Sequence, residues 1–142
     1  MSRLALPIFV LAIFFASANF AFADHYEGPS GSTEYSAGRE ALEREDFDSA
    51  LKNFVHCAAA GDGYCEHHLG VMHAFGYGIP ENSVEAAYWF KKAALQGIRE
   101  AQFNIGLYFE KGIGVEQDGA SAHHWFLEAA KLGMAAARIK VA

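Results

Sequence analysis

Residues 98–133 read IREAQFNIGLYFEKGIGVEQDGASAHHWFLEAAKLG, and residues 62–97 read DGYCEHHLGVMHAFGYGIPENSVEAAYWFKKAALQG. Set one under the other, a shift of 36 places Gly70 on Gly106, Gly76 on Gly112, Gly78 on Gly114 and Gly97 on Gly133. It also places Ala86 on Ala122, Trp89 on Trp125, Phe90 on Phe126, and Ala93 and Ala94 on Ala129 and Ala130. Leu69 on Ile105 and Ile79 on Val115 are conservative matches in the same frame. A fixed period of this length is the signature of a repeat architecture, in which each unit buries its apolar face against its neighbours.

Within a unit, Ala86, Phe90, Ala93 and Gly97 fall at i, i+4, i+7 and i+11, which is one face of a helix. Trp89 and Ala94 widen that face. Gly97 stands where this helix should end and predicts a left-handed residue just past it. Glycine inside a helix costs about 1 kcal/mol relative to alanine, so a glycine at both 70 and 106 predicts a point where a crossing helix comes close. Gly76 and Gly78 belong to the loop between the two helices of the unit.

Working outward, a degenerate unit occupies 34–61. Gly38 corresponds to Gly70, Ala50 to Ala86, Phe54 to Phe90 and Gly61 to Gly97. Gly38 and Ala50 are four residues closer together than Gly70 and Ala86, so the first unit lacks four residues of the glycine loop. Residues 134–142 begin a further helix and read as a short cap. Residues 24–33, with Gly28, Pro29, Ser30, Gly31 and Ser32, read as a flexible leader.

The first 23 residues carry Arg3, an apolar run from Leu4 to Ala16, and the small-x-small pair Ala21 and Ala23. This is the pattern of an export signal with cleavage after Ala23, which places the mature protein in the periplasm or outside the cell. The alternative is an uncleaved anchor, because Leu4 to Ala23 is just long enough to span a bilayer. Cleavage leaves no membrane span. The net charge of −6 at pH 7 argues against a nucleic-acid partner, which needs a basic footprint.

The segment Ala101-Gln-Phe-Asn-Ile-Gly-Leu-Tyr-Phe, then Gly112-Ile-Gly-Val, then Ala122, Trp125, Phe126, Ala129, Ala130 and Gly133, resembles the Sel1-like repeat, a relative of the tetratricopeptide repeat. Residues 62–97 match the same pattern, with Cys65 in place of the first alanine and His67 in place of the aromatic residue. The resemblance implies an all-α fold, a right-handed superhelical solenoid of about three helix hairpins. It implies a binding role toward a protein partner, which it does not name, and fold alone does not give function.

Cys57 and Cys65 occupy the positions of Ala93 with Ala101, small-residue sites at the junction of consecutive repeats. The chain resembles the cysteine-rich secreted members of the family, which pair cysteines at this spacing, and this implies a Cys57–Cys65 disulfide. An oxidising compartment favours it. The alternative is two buried thiols filling small sites.

Stacked helix pairs line the concave face with the first helix of each unit. His68 and Asn104 are equivalent by the 36-residue shift, as are His67 with Phe103 and His73 with Phe109. His67, His68, His73 and Asn104 are therefore the candidate partner-binding residues. The Asn104 amide can both donate to and accept from a peptide backbone; the alternative is a hydrogen bond to the adjacent loop. Phe103 and Phe109 are expected in the core.

Seven histidines invite a metal reading. No two of them have the i, i+4 spacing that puts two ligands on one helical face, and Glu66 with His73 is a weak signal. No metal or other cofactor is expected. Ser49-Ala-Leu-Lys52 matches the Ser-x-x-Lys pattern of penicillin-recognising enzymes, and some cysteine-rich relatives are linked to β-lactam binding or hydrolysis. The companion motifs Ser-Asp-Asn and Lys-Thr-Gly are absent. A weak hydrolase or binder of β-lactam or peptidoglycan-like substrates is the alternative to an exported adaptor without catalytic residues. With three repeats and a short cap, apolar surface stays open and self-association is compatible with the sequence.

Overall fold

The computed structural model describes residues 32–142, so the export signal and nearly all of the leader lie outside the described residues. Seven helices and no strand are found among the described residues. They are α1 (Thr33–Glu43), α2 (Phe47–Ala59), α3 (Gly63–Phe75), α4 (Ser83–Leu95), α5 (Arg99–Lys111), α6 (Gly119–Lys131) and α7 (Ala135–Val141). Each helix packs on the next in sequence: α1 on α2, α3 on α4 and α5 on α6 form hairpins, and α2–α3, α4–α5 and α6–α7 join them. The result is an α-helical repeat solenoid, in which contacts run between neighbours.

Polar caps start most of the helices. Asp46, Asp62, Asn82 and Asp118 each accept a backbone N–H of the first turn of α2, α3, α4 and α6. Helix α5 begins at Ile98 without a side-chain cap; that residue is buried in the core instead. Gly97 and Gly133, just past α4 and α6, adopt φ of +84° and +88°, as the sequence leads one to expect. The connection between α1 and α2 is residues 44–46, whereas that between α3 and α4 is residues 76–82. The missing four residues are thus lost from this loop, and Glu45 makes the tight turn at a φ of +59°.

The core is built of successive layers. Ala41, Ala50, Phe54, Cys57, Cys65, Leu69 and Met72 form the first. Val71, Ala86, Phe90, Ala93, Ala101, Ile105 and Trp125 form the second. Ala129, Met134 and Ala137 close the third, with Phe103 packed against them. Each tryptophan reaches back one layer: Trp89 packs on the first and Trp125 enters the second. Gly38, Gly70 and Gly106 lie under the rings of Phe54, Phe90 and Phe126, where a Cβ would meet ring carbons at 2.6, 2.6 and 2.7 Å. The absent side chain lets the paired helices close on an aromatic ring, three times over.

Cys57 at the end of α2 and Cys65 in α3 form a disulfide with Cα atoms 5.9 Å apart. Both are buried. The bridge ties the first hairpin to the second at the turn 60–62.

Candidate functional site

The first helices α3 and α5 stand side by side, and between them opens a cavity of about 270 Å³. Its walls are Val71, Ala74 and Phe75 of α3 and Phe103, Asn104, Leu107 and Tyr108 of α5. Phe90 reaches it from α4 and Met134 from the start of the cap. Glu81 and Lys111 supply charge at its exposed margin. The lining is mainly apolar, a setting in which a few placed polar groups set orientation.

The uncharged polar side chains of the lining are Ser83, Asn104 and Tyr108. The Asn104 Nδ2 lies 3.2 Å from Nε2 of His67, which is 37 residues earlier and one hairpin away. Tyr108 meets Phe90 edge to face at 5.4 Å. Burial and the nearby Glu81 carboxylate push its phenol up to about 12, so it remains a hydroxyl donor at neutral pH.

Of the four residues singled out from the sequence, Asn104 lines the cavity and His67, His68 and His73 do not. His67 is 5% exposed and packs against Phe90, with ring centroids 5.7 Å apart. Burial lowers its pKa to about 4, against a smaller opposing effect of Glu100, so the ring is neutral at pH 7. His68 stacks on Phe54 at 4.5 Å and 9° and tilts against Tyr35. Burial, then the neighbouring His67 and Arg39, holds it well below the usual histidine range. His73 is half-buried near the end of α3, and burial lowers its pKa as well. Phe103 and Phe109 are half-buried.

Glu66, Lys92 and Gln96 form a polar contact that sequence reasoning missed. Glu66 is 0% exposed. Its Oε1 lies 3.1 Å from Lys92 Nζ, and its Oε2 accepts from Gln96 Nε2 at 2.6 Å. These contacts join α3 to α4. The signal lay in register: Glu66 precedes Leu69 by three on the apolar face, and its repeat equivalent Gln102 is buried too, donating to the Ala94 carbonyl at 3.3 Å.

Among the described residues, no group of three or more His, Cys, Asp or Glu side chains converges as a metal site. Ser49 lies in the first turn of α2 and its amide donates to Asp46 at 3.2 Å. The Ser49 hydroxyl and amide lower the Asp46 carboxyl, so Ser49 belongs to the helix cap. No helix among the described residues is long and apolar enough to cross a membrane.

The repeat frame and the Gly–Phe contacts define a class, the α-helical repeat solenoids. The chain belongs to the Sel1 repeat family: the family's model matches residues 63–98 and 99–134. It is similar to a Sel1 repeat protein from Oxalobacter formigenes, at 31% identity over 73% of this chain and 43% of that one, with a TM-score of 0.70. It is also similar to a protective antigen of uropathogenic Escherichia coli strains that displays an SLR fold, at 31% identity over 74% of this chain and 23% of that one, with a TM-score of 0.72. The chain thus spans less than half the length of either. Cysteine-rich protein B of Helicobacter pylori shares the fold, at 16% identity over 76% of this chain and 96% of that one, with a TM-score of 0.61. No curated protein matched the sequence.

Proposed function

We propose that this chain is an exported adaptor, scaffold or regulator that binds a segment of a protein partner in the groove between α3 and α5. The observation that carries the reading is the cavity of about 270 Å³, apolar in its walls and open to solvent, with the Asn104 amide on one side. Such a space accepts one large apolar side chain, and the amide beside it can meet the adjoining peptide backbone. Membership of the Sel1 repeat family supports a protein as partner. Export rests on residues 1–23 and on a disulfide, which persists in oxidising compartments. Ser49 sits in the first turn of α2 with its amide on the Asp46 cap, and the companion motifs Ser-Asp-Asn and Lys-Thr-Gly are absent from the sequence, which supports preferring the adaptor reading to the hydrolytic one.

The test is a cross-linked pull-down from the native cell envelope, comparing tagged protein with an Ala74→Trp variant that fills the cavity. A single dominant partner captured by the first and lost in the second supports the reading. Equal capture by both rejects the groove as the binding site. Mass spectrometry of the exported protein checks the processing, with Asp24 expected as the first residue.

A further inference from the structure

We infer that His67 is a positioning residue: it holds the Asn104 amide nitrogen, so that the Asn104 carbonyl oxygen is the group offered to a peptide N–H beside the apolar cavity. The inference rests on the groove reading above and adds which half of the amide does the recognising.

An amide nitrogen carries only hydrogens to share, so Nδ2 at 3.2 Å makes His67 Nε2 the acceptor and leaves the ring proton on Nδ1. The imidazole cannot turn freely, because it is packed against the rings of Phe90 and His68 at 5.7 and 5.6 Å and is almost wholly buried. Asn104 is half-buried and lines the cavity together with Phe90, Leu107 and Tyr108. An unrestrained asparagine can present either its carbonyl or its amino group to a ligand. Held by His67, it presents the oxygen. The next repeat shows what His67 adds: its equivalent there is Phe103, which fills the same place with no acceptor.

Two measurements test this. Long-range proton–nitrogen spectra of the purified protein at pH 7 should show His67 protonated at Nδ1 and bare at Nε2. A proton on Nε2 overturns the inference without any ligand or variant. For recognition, the probe is N-acetyl-phenylalanine methylamide, with the two analogues in which one or the other N–H is replaced by an ester oxygen. Titration followed by the resonances of Leu107 and Tyr108 should show the amide bound roughly fivefold more tightly than one ester, the effect of one hydrogen bond. That preference should vanish in His67→Phe and in Asn104→Ala, and the double variant should lose no more than either single one. A preference that survives in His67→Phe overturns the positioning role while leaving the groove reading intact. If no probe moves those resonances, the groove reading fails and this inference with it.

Discussion

Gly70 of α3 passes so close to Phe90 of α4 that a Cβ at residue 70 would sit 2.6 Å from the ring. The same relation holds between Gly106 and Phe126 at 2.7 Å. Helix propensity alone would reward alanine at either place by about 1 kcal/mol, so packing and propensity oppose each other. The contact is with a rigid ring in a buried layer, and packing wins. Gly70→Ala and Gly106→Ala should each destabilise by about 1–3 kcal/mol. Gly119→Ala, where a Cβ meets nothing within 4 Å, should be neutral or stabilising. Urea midpoints of the three variants check the contrast.

The disulfide closes a short loop between Cys57 and Cys65. Loop-closure entropy then gives about 2–3 kcal/mol. The alanines at 93 and 101 occupy the equivalent sites and are themselves buried. Cys57→Ala with Cys65→Ala should therefore keep the helical circular dichroism spectrum and lower the urea midpoint. Adding reductant should bring the wild type close to the double variant and leave the variant unchanged.

Acid should weaken the protein through His67 and His68, whose folded pKa values lie below the ordinary histidine value. For groups lowered on folding, the unfolded chain binds more protons as pH falls below about 6.5, so stability is full above that value and declines beneath it. For His67 the decline runs from there to about 4, where the folded ring also takes up a proton. His67→Phe should remove its share of this slope, and stability measured by urea unfolding at pH 7.5, 6, 5 and 4.5 reads it. Equal slopes in wild type and variant would contradict the assignment.

Glu66 is a carboxylate with no solvent exposure, held by Lys92 and Gln96. Removing one partner of a buried pair leaves an uncompensated charge, which is costly. Lys92 is itself partly exposed, which tempers the effect. Lys92→Met should cost roughly 1–3 kcal/mol. Glu66→Gln, which introduces the residue found at the equivalent position 102, should cost less than about 1 kcal/mol. Thermal melts of the two variants at equal pH decide whether the pairing or merely the volume matters.

Much of this architecture can be read along the chain because its causes are local or recur at a fixed step. The 36-residue period, the helical spacing of Ala86, Phe90 and Ala93, and the glycines beyond the helix ends all express backbone geometry that operates within one unit. Gly70 and Gly106 pointed to close helix contact because a glycine is unfavourable in a helix unless something occupies the space its side chain would take. The shortened first loop followed from the same frame, since four residues missing between Gly38 and Ala50 had to come out of the connection.

The side-chain partnerships are another matter. Lys92 and Gln96 meet Glu66 from the facing helix, and which of several polar residues does so depends on the angle at which α4 crosses α3. His67 and Asn104 were both legible as first-helix positions, yet their contact is one between neighbouring hairpins, offset by one residue from the repeat. The same stacking buries His67, leaves Asn104 at the cavity wall, and opens the space lined by Leu107 and Tyr108. Periodicity specifies which face of a helix is apolar; it does not specify how far one hairpin is rotated on the next. That rotation is set by the summed packing of Phe90, Ile105, Trp125 and the alanines between them, and it assigns each polar group its partner.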